Sequence, residues 1–256
     1  MNRQELASAI LRVVVGVSVL PGGAALATDG GLQLNQTRVI FDASAKNAKA
    51  TIKNQSDRVF LVKAGVLVTP DSATAEKVEV VPPAPFMVTP PLFRLEPNSQ
   101  SSVLVVRNGS AELPTDRESV FYLSLLAIPA TTKFSEENNM GVSAQVSVGI
   151  QTIIKLFYRP VGLSMPVQTA AEKLTFRQVG KDLHVGNPTP YFVTLARLTL
   201  NGKAMDVRNT VTGAMIAPFS TQSYPSPVPV QQVRWTVIND YGGESAEYHA
   251  TASHGG

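Results

Sequence analysis

Apolar and polar positions in this chain alternate in short runs separated by Pro, Gly, Asn and Asp. Residues 32–41 alternate and are rich in β-branched side chains, and Ala50-Thr51-Ile52-Lys53-Asn54 resumes the habit after a small-residue turn. Residues 59–68 alternate until Pro70 and Asp71, residues 77–81 stop at Pro82-Pro83, and residues 86–89, 93–95 and 102–106 follow. Residues 119–128 form an apolar run that Pro129 ends, with a hydrophilic loop after it. A period of two bounded by turn residues predicts strands rather than helices, and about seven of them at this spacing predict an immunoglobulin-like sandwich.

Residues 142–158 are unusual. Val142, Ala144, Val146, Val148 and Ile150 are apolar, while Ser143, Gln145, Ser147, Gly149 and Gln151 between them are small or polar. This predicts one strand much longer than the usual five or six residues or so. Beyond Thr152 the run is continuously apolar through Ile153-Ile154 and Leu156-Phe157-Tyr158, which predicts burial on both faces. Lys155 interrupts it, and an ammonium there needs an anionic partner or a path to water. A ligand role and a lysine reaching solvent from a strand edge both satisfy that requirement. For 142–150, a core face is the ordinary reading of such alternation.

Arg159-Pro160 ends the strand, and 160–166 is a Pro-bracketed joint. A second series of strands is expected at 174–177, 183–185, 191–200, 214–218 and 233–239, with turns at Asn187-Pro188 and Asn201-Gly202. His249, His254 and the final glycines read as a frayed tail.

The first residues change the compartment. Arg3 and Arg12, the apolar run 13–20 and Ala25-Leu26-Ala27 make 1–27 a signal peptide, so an exported chain begins near Thr28. No later run reaches the length of a membrane-spanning helix. Two domains, 28–159 and 160–256, are of ordinary size.

Cysteine is absent, which excludes thiol catalysis and disulfide scaffolds. The net charge of +3 comes from scattered Lys and Arg and gives no basis for nucleic-acid binding. Three histidines offer no metal spacing, and no nucleophile elbow, dinucleotide fingerprint or P-loop occurs. No cofactor, metal or catalytic residue is therefore expected. Asp116 and Glu118 share a strand face by alternation, but beside Arg117 they read as ion-pair structure rather than as an acid and base.

Six motifs in order carry a resemblance: Thr37-Arg38-Val39-Ile40-Phe41, the Val88 to Pro97 stretch VTPPLFRLEP, Asp116-Arg117-Glu118-Ser119, Ile154-Lys155-Leu156-Phe157-Tyr158-Arg159-Pro160, Asn187-Pro188-Thr189-Pro190-Tyr191 and Ile238-Asn239-Asp240-Tyr241-Gly242. Over nearly all of 28–256 the chain resembles the PapD-like periplasmic chaperones of the chaperone–usher pilus pathway. The resemblance implies an all-β protein of two immunoglobulin-like sandwiches set at an angle, with a cleft between them. It implies a periplasmic location, fimbrial subunits as clients and an outer-membrane usher as partner.

Clients of this family lack a final strand, and the chaperone's edge strand fills the gap by strand addition. The resemblance assigns that task to Val146, Val148 and Ile150, with Val142 and Ala144 more peripheral. It assigns Arg38 and Lys155 to the client's terminal carboxylate, and Glu118, Arg159 and Asp240 to an interdomain ion-pair set. Lys155 has opposite parity to Val146, so a bulge or strong twist is expected between them. Self-association through the same strand is left open when no client is present. The loop at 130–141 is longer than in the family's short-loop branch, and the cysteine pair of the long-loop branch is absent. A fimbrial subunit would be one domain with a donor extension near its start, and a sandwich hydrolase would need clustered carboxylates or histidines; neither pattern is found.

Overall fold

The computed structural model describes residues 31–70, 84–109, 112–130, 148–207, 213–226 and 229–254. The signal segment, the strand expected at 77–81, and Val142, Ala144 and Val146 lie outside them.

The first half builds β1 (Leu32–Leu34), β2 (Arg38–Asp42), β3 (Asn47–Asn54), β4 (Phe60–Leu67), β5 (Phe86–Thr89), β6 (Leu92–Leu95), β7 (Gln100–Arg107), β8 (Ser119–Pro129) and β9 (Ile150–Arg159). One sheet runs β1-β3-β7-β5 and the other β2-β9-β8-β4-β6. Alternation supplies the core: Ala48, Ala50 and Ile52 of β3 face Val62, Leu123 and Leu125 of the other sheet, and Phe41, Phe86 and Tyr158 fill one end. Asn54 is fully buried yet satisfied. Its amide donates to Arg58 O and Glu96 O, and its oxygen accepts from Ser56.

The second half builds a short 3₁₀ stretch (Val167–Lys173), then β10 (Thr175–Val179), β11 (Asp182–Asn187), β12 (Val193–Leu200), β13 (Lys203–Met205), β14 (Met215–Ile216), β15 (Ser220–Pro225), β16 (Gln232–Val237), β17 (Tyr248–Thr251) and β18 (Ser253–His254). Its sheets run β15-β11-β10-β18 and β13-β12-β16-β17, with β14 beside β12. Leu183, Val185, Leu195, Leu198, Tyr224, Val233 and Trp235 form a core separate from the first. Asn201 and Gly202 hold φ of 48° and 82°, as a tight hairpin between β12 and β13 requires.

Several expectations are corrected. Residues 32–41 are not one strand: β1 pairs with β3, whereas β2 pairs with β9 in the other sheet, and the chain crosses at 35–37. The tail is not frayed as far as His254, because β17 pairs with β16, and Ser253 and His254 run parallel to Arg177 and Gln178; the final glycines lie outside the described residues. Burial on both faces of β9 begins at Leu156 rather than after Thr152, since Ile153, Ile154 and Lys155 are half-buried. Asp116 and Glu118 part company: Asp116 is exposed and pairs with Arg117, while Glu118 is buried.

Candidate functional site

Strand β9 changes neighbours halfway along. On one side it pairs with β8 throughout, from Ala127↔Ile150 to Ser119↔Tyr158. On the other side β2 pairs in parallel only with Lys155 to Arg159. Among the described residues, no strand pairs with Ile150 to Ile154 on that second side, so half of β9 presents an unpaired backbone edge. Val148 and Ile150 lead into it with 69% and 49% of their surface exposed. Both are therefore outside any core in this structure, unlike the apolar positions of an ordinary alternating strand.

The open edge ends where β2 begins. Arg38 is the register partner of Lys155, and the parallel ladder puts the two side chains on one face. That is the face of Phe157, whose ring packs against Phe192 of the second sandwich at 5.6 Å; Leu156 and Tyr158 point the other way, into the first core. A pocket of about 450 Å³ opens there, lined by Arg38, Lys155, Ile153 and Ile154 from the first half and by Thr194, Leu195, Ala214 and Ile238 from the second. Arg38 donates through Nη1 to the Ile238 carbonyl at 3.1 Å, its guanidinium lies 5.7 Å from the Phe157 ring centre, and its buried Nε has no partner.

Burial first, and the charge of Arg38 second, hold the Lys155 ammonium below the ordinary lysine value. Burial likewise lowers Arg38, against the charges of Asp240 and Glu118. Among the described residues neither cation is in an ion pair. Two half-desolvated cations on one pocket wall could together accept a single anion, and the geometry of a carboxylate suits both.

A bulge or strong twist is expected between Val146 and Lys155; Val146 lies outside the described residues, and no bulge falls between Ile150 and Lys155. The register of β9 against β8 is unbroken from Ile150 to Tyr158, so Ile150 and Lys155 keep opposite parity.

Arg159 organises a second cluster. Its Nε donates to Glu118 Oε1 at 2.7 Å, while Nη1 and Nη2 donate to Asp240 Oδ2 and Oδ1 at 2.7 and 3.0 Å. Glu118 Oε2 accepts from the Phe192 backbone N–H at 2.9 Å, and the Glu118 N–H donates to Pro190 O. The Arg159 guanidinium also stacks 5.2 Å from the Tyr191 ring centre. Both Glu118 oxygens thus accept N–H donors, an arrangement that suits the carboxylate form. Burial raises Glu118 against the pull of Arg159; burial lowers Arg159, but Asp240 and Glu118 outweigh it and raise the guanidinium.

Local chemistry delivers these partners. Asn187 is buried, donates to Tyr191 O and Ala217 O and accepts from Thr189, which pins the turn carrying Tyr191 and Phe192. Asn239 caps the Tyr241 and Gly243 amides, holding the tight turn that carries Asp240. Gly242, at φ 82°, lies against the Thr37 hydroxyl so closely that a Cβ would collide with it. The roles of the Ile238 carbonyl and the Phe192 amide carried no sequence signal, because every residue has a carbonyl and nearly every residue an N–H.

Residues 31–164 match the family of pili and flagellar-assembly chaperones described as the PapD N-terminal domain, and residues 169–249 match the pili assembly chaperone PapD C-terminal domain. A probable fimbrial chaperone, LpfB of Escherichia coli O157:H7, is 36% identical over 217 residues, covering 83% of this chain and 85% of the relative. The E. coli chaperone DraB superposes with a TM-score of 0.70 at 35% identity, covering 87% of this chain and 97% of that one. A Salmonella enterica structure of the SafA pilin in complex with the SafB chaperone matches with a TM-score of 0.69 at 32% identity, covering 86% and 96%. The two sandwiches are accordingly immunoglobulin-like.

Proposed function

The chain belongs to the PapD-like family of pilus-assembly chaperones, and from that premise we propose that it captures fimbrial subunits by adding β9 and its leading residues to their open sheet. Strand addition explains why the edge is unpaired and apolar together: main-chain hydrogen bonds bind any client, and alternate side chains fill its groove. Val148 and Ile150 enter the groove, with Val146, Val142 and Ala144 continuing the series. Arg38 and Lys155 take the client's terminal carboxylate, which fixes the register of the added strand. The client strand then runs parallel to β9, its end meeting the start of β2. The observation that carries this reading is that, among the described residues, half of β9 is open and ends at two cations without an ion pair.

Glu118, Arg159 and Asp240 hold the two sandwiches in the orientation that keeps the pocket open between them. Residues 1–27 direct export, the protein works in the periplasm without enzymatic chemistry, and the loaded complex is handed to an outer-membrane usher. The domains are 28–159 and 160–256, in keeping with two separate cores. Self-association through β9 shields the edge when no client is bound. Isolation of the chain from periplasm tests the reading. A stoichiometric pilin with an apolar C-terminal strand is expected, and a chain that never retains one when co-expressed with subunits overturns it.

A further inference from the structure

Three non-glycine residues among the described ones hold a left-handed backbone: Asn98, Asn201 and Phe219, with φ of 48°, 48° and 52°. Asparagine tolerates that region, whereas a bulky aromatic residue there is strained. The turn itself does not call for Phe. Its hydrogen bonds, Phe219 N–H to Thr189 O at 3.2 Å and the Ser220 hydroxyl to Ala217 O at 2.8 Å, use backbone groups and a neighbour, and glycine would make the same turn without strain. The core of the second sandwich does not call for it either, since 47% of Phe219 is exposed.

Its contact lies across the domain boundary. The Arg117 guanidinium sits over the ring, 4.9 Å from its centre, and Asp116 grips that guanidinium through Nε and Nη2 at 3.1 and 2.8 Å. The next residue, Glu118, gives its N–H to Pro190 O of the second sandwich.

We propose that Phe219 is a positioning residue: its strained backbone is retained to hold the ring under Arg117, and Asp116, Arg117 and Phe219 form a latch that fixes the angle between the sandwiches. It acts beside the Arg159 cluster but involves no ion pair between the two sandwiches.

The test uses the full mature chain without client, so the outcome is independent of whether the strand-addition reading holds. Residual dipolar couplings report whether both sandwiches share one alignment. Phe219→Gly removes strain and ring together. It is expected to change the melting temperature by no more than about 4 °C while the second sandwich loses alignment relative to the first. Phe219→Tyr, which keeps the π face, is expected to restore the shared alignment, and Phe219→Leu is not. Arg117→Gln leaves the turn untouched and is expected to match Phe219→Gly, which keeps the question decidable should the glycine variant fold poorly. A shared alignment in Arg117→Gln, or in Phe219→Leu, overturns the latch.

Discussion

Arg38 and Lys155 are register partners on adjacent parallel strands, their side chains on one face beside a pocket that both sandwiches line. Like charges side by side and half removed from water are unfavourable, and the folded chain bears that cost without an ion-pair partner for either among the described residues. The proposed capture of a client carboxylate would supply the missing anion.

Lys155→Ala is therefore expected to melt at or slightly above the parent temperature while losing client capture. Losing a charge-assisted bond weakens binding by about 1.5 to 3 kcal/mol, roughly ten- to hundredfold. Arg38→Ala should lose as much in binding, with a small loss of stability as well, because it also releases the Ile238 carbonyl. Binding isotherms with a purified pilin, alongside thermal melts, check both. Parent-like affinity in Lys155→Ala contradicts the anchor.

Val148→Glu and Ile150→Glu test the edge. Both side chains are exposed, so a charge at either leaves the fold intact and blocks entry into an apolar groove. Circular dichroism with a pull-down separates the outcomes. An unfolded variant supports a core face at these positions, and a folded variant that still binds refutes groove insertion.

Sequence periodicity located nearly every long strand but could not say which sheet a strand joins. In 32–41 the clue was present as a change of parity: Leu32 and Leu34 are even, whereas the buried Val39 and Phe41 are odd. Asn201-Gly202 was legible because only a primed hairpin turn uses φ > 0 twice. Strands β17 and β18 were not, since half of β17 is exposed and the order of both comes from pairing with β16 and β10. At the site, the charged residues were visible through resemblance. The Ile238 carbonyl and Phe192 N–H were invisible because backbone groups acquire identity only when the fold aims them.

Arg159→Ala leaves Glu118 buried with one oxygen unpaired and frees Asp240 from the first sandwich. A buried pair broken on one side costs about 3 to 5 kcal/mol, and less here because Asp240 is partly exposed to solvent. Calorimetry should show a lower melting temperature, and small-angle scattering a broader distribution of shapes. A variant as compact and stable as the parent removes the cluster from its orienting role.

The pH dependence follows from Lys155. A base whose folded-state value is depressed binds fewer protons folded than unfolded between the two values. Its contribution to stability is present above the ordinary 10.5 and is lost as pH falls through the depressed value. The client's carboxylate needs the ammonium, so affinity moves the other way: it falls as pH rises through the lowered Lys155 value, before an ordinary lysine would titrate. Titrations in alkaline buffers check this, with Lys155→Arg expected to hold affinity to higher pH. An affinity that stays flat up to 10.5, or falls equally in Lys155→Arg, contradicts it.

Strand addition onto β9 is tested most directly by amide hydrogen exchange on the mature chain alone and in complex with a co-expressed pilin. Alternate amides of Ile150 to Ile154, which face no partner strand among the described residues of the free chain, are expected to exchange freely there and to become strongly protected in the complex. Amides of Leu156 to Tyr158, paired on both sides, are expected to be protected in both states. A stable complex in which Ile150 to Ile154 exchange as fast as in the free chain would contradict capture by this edge.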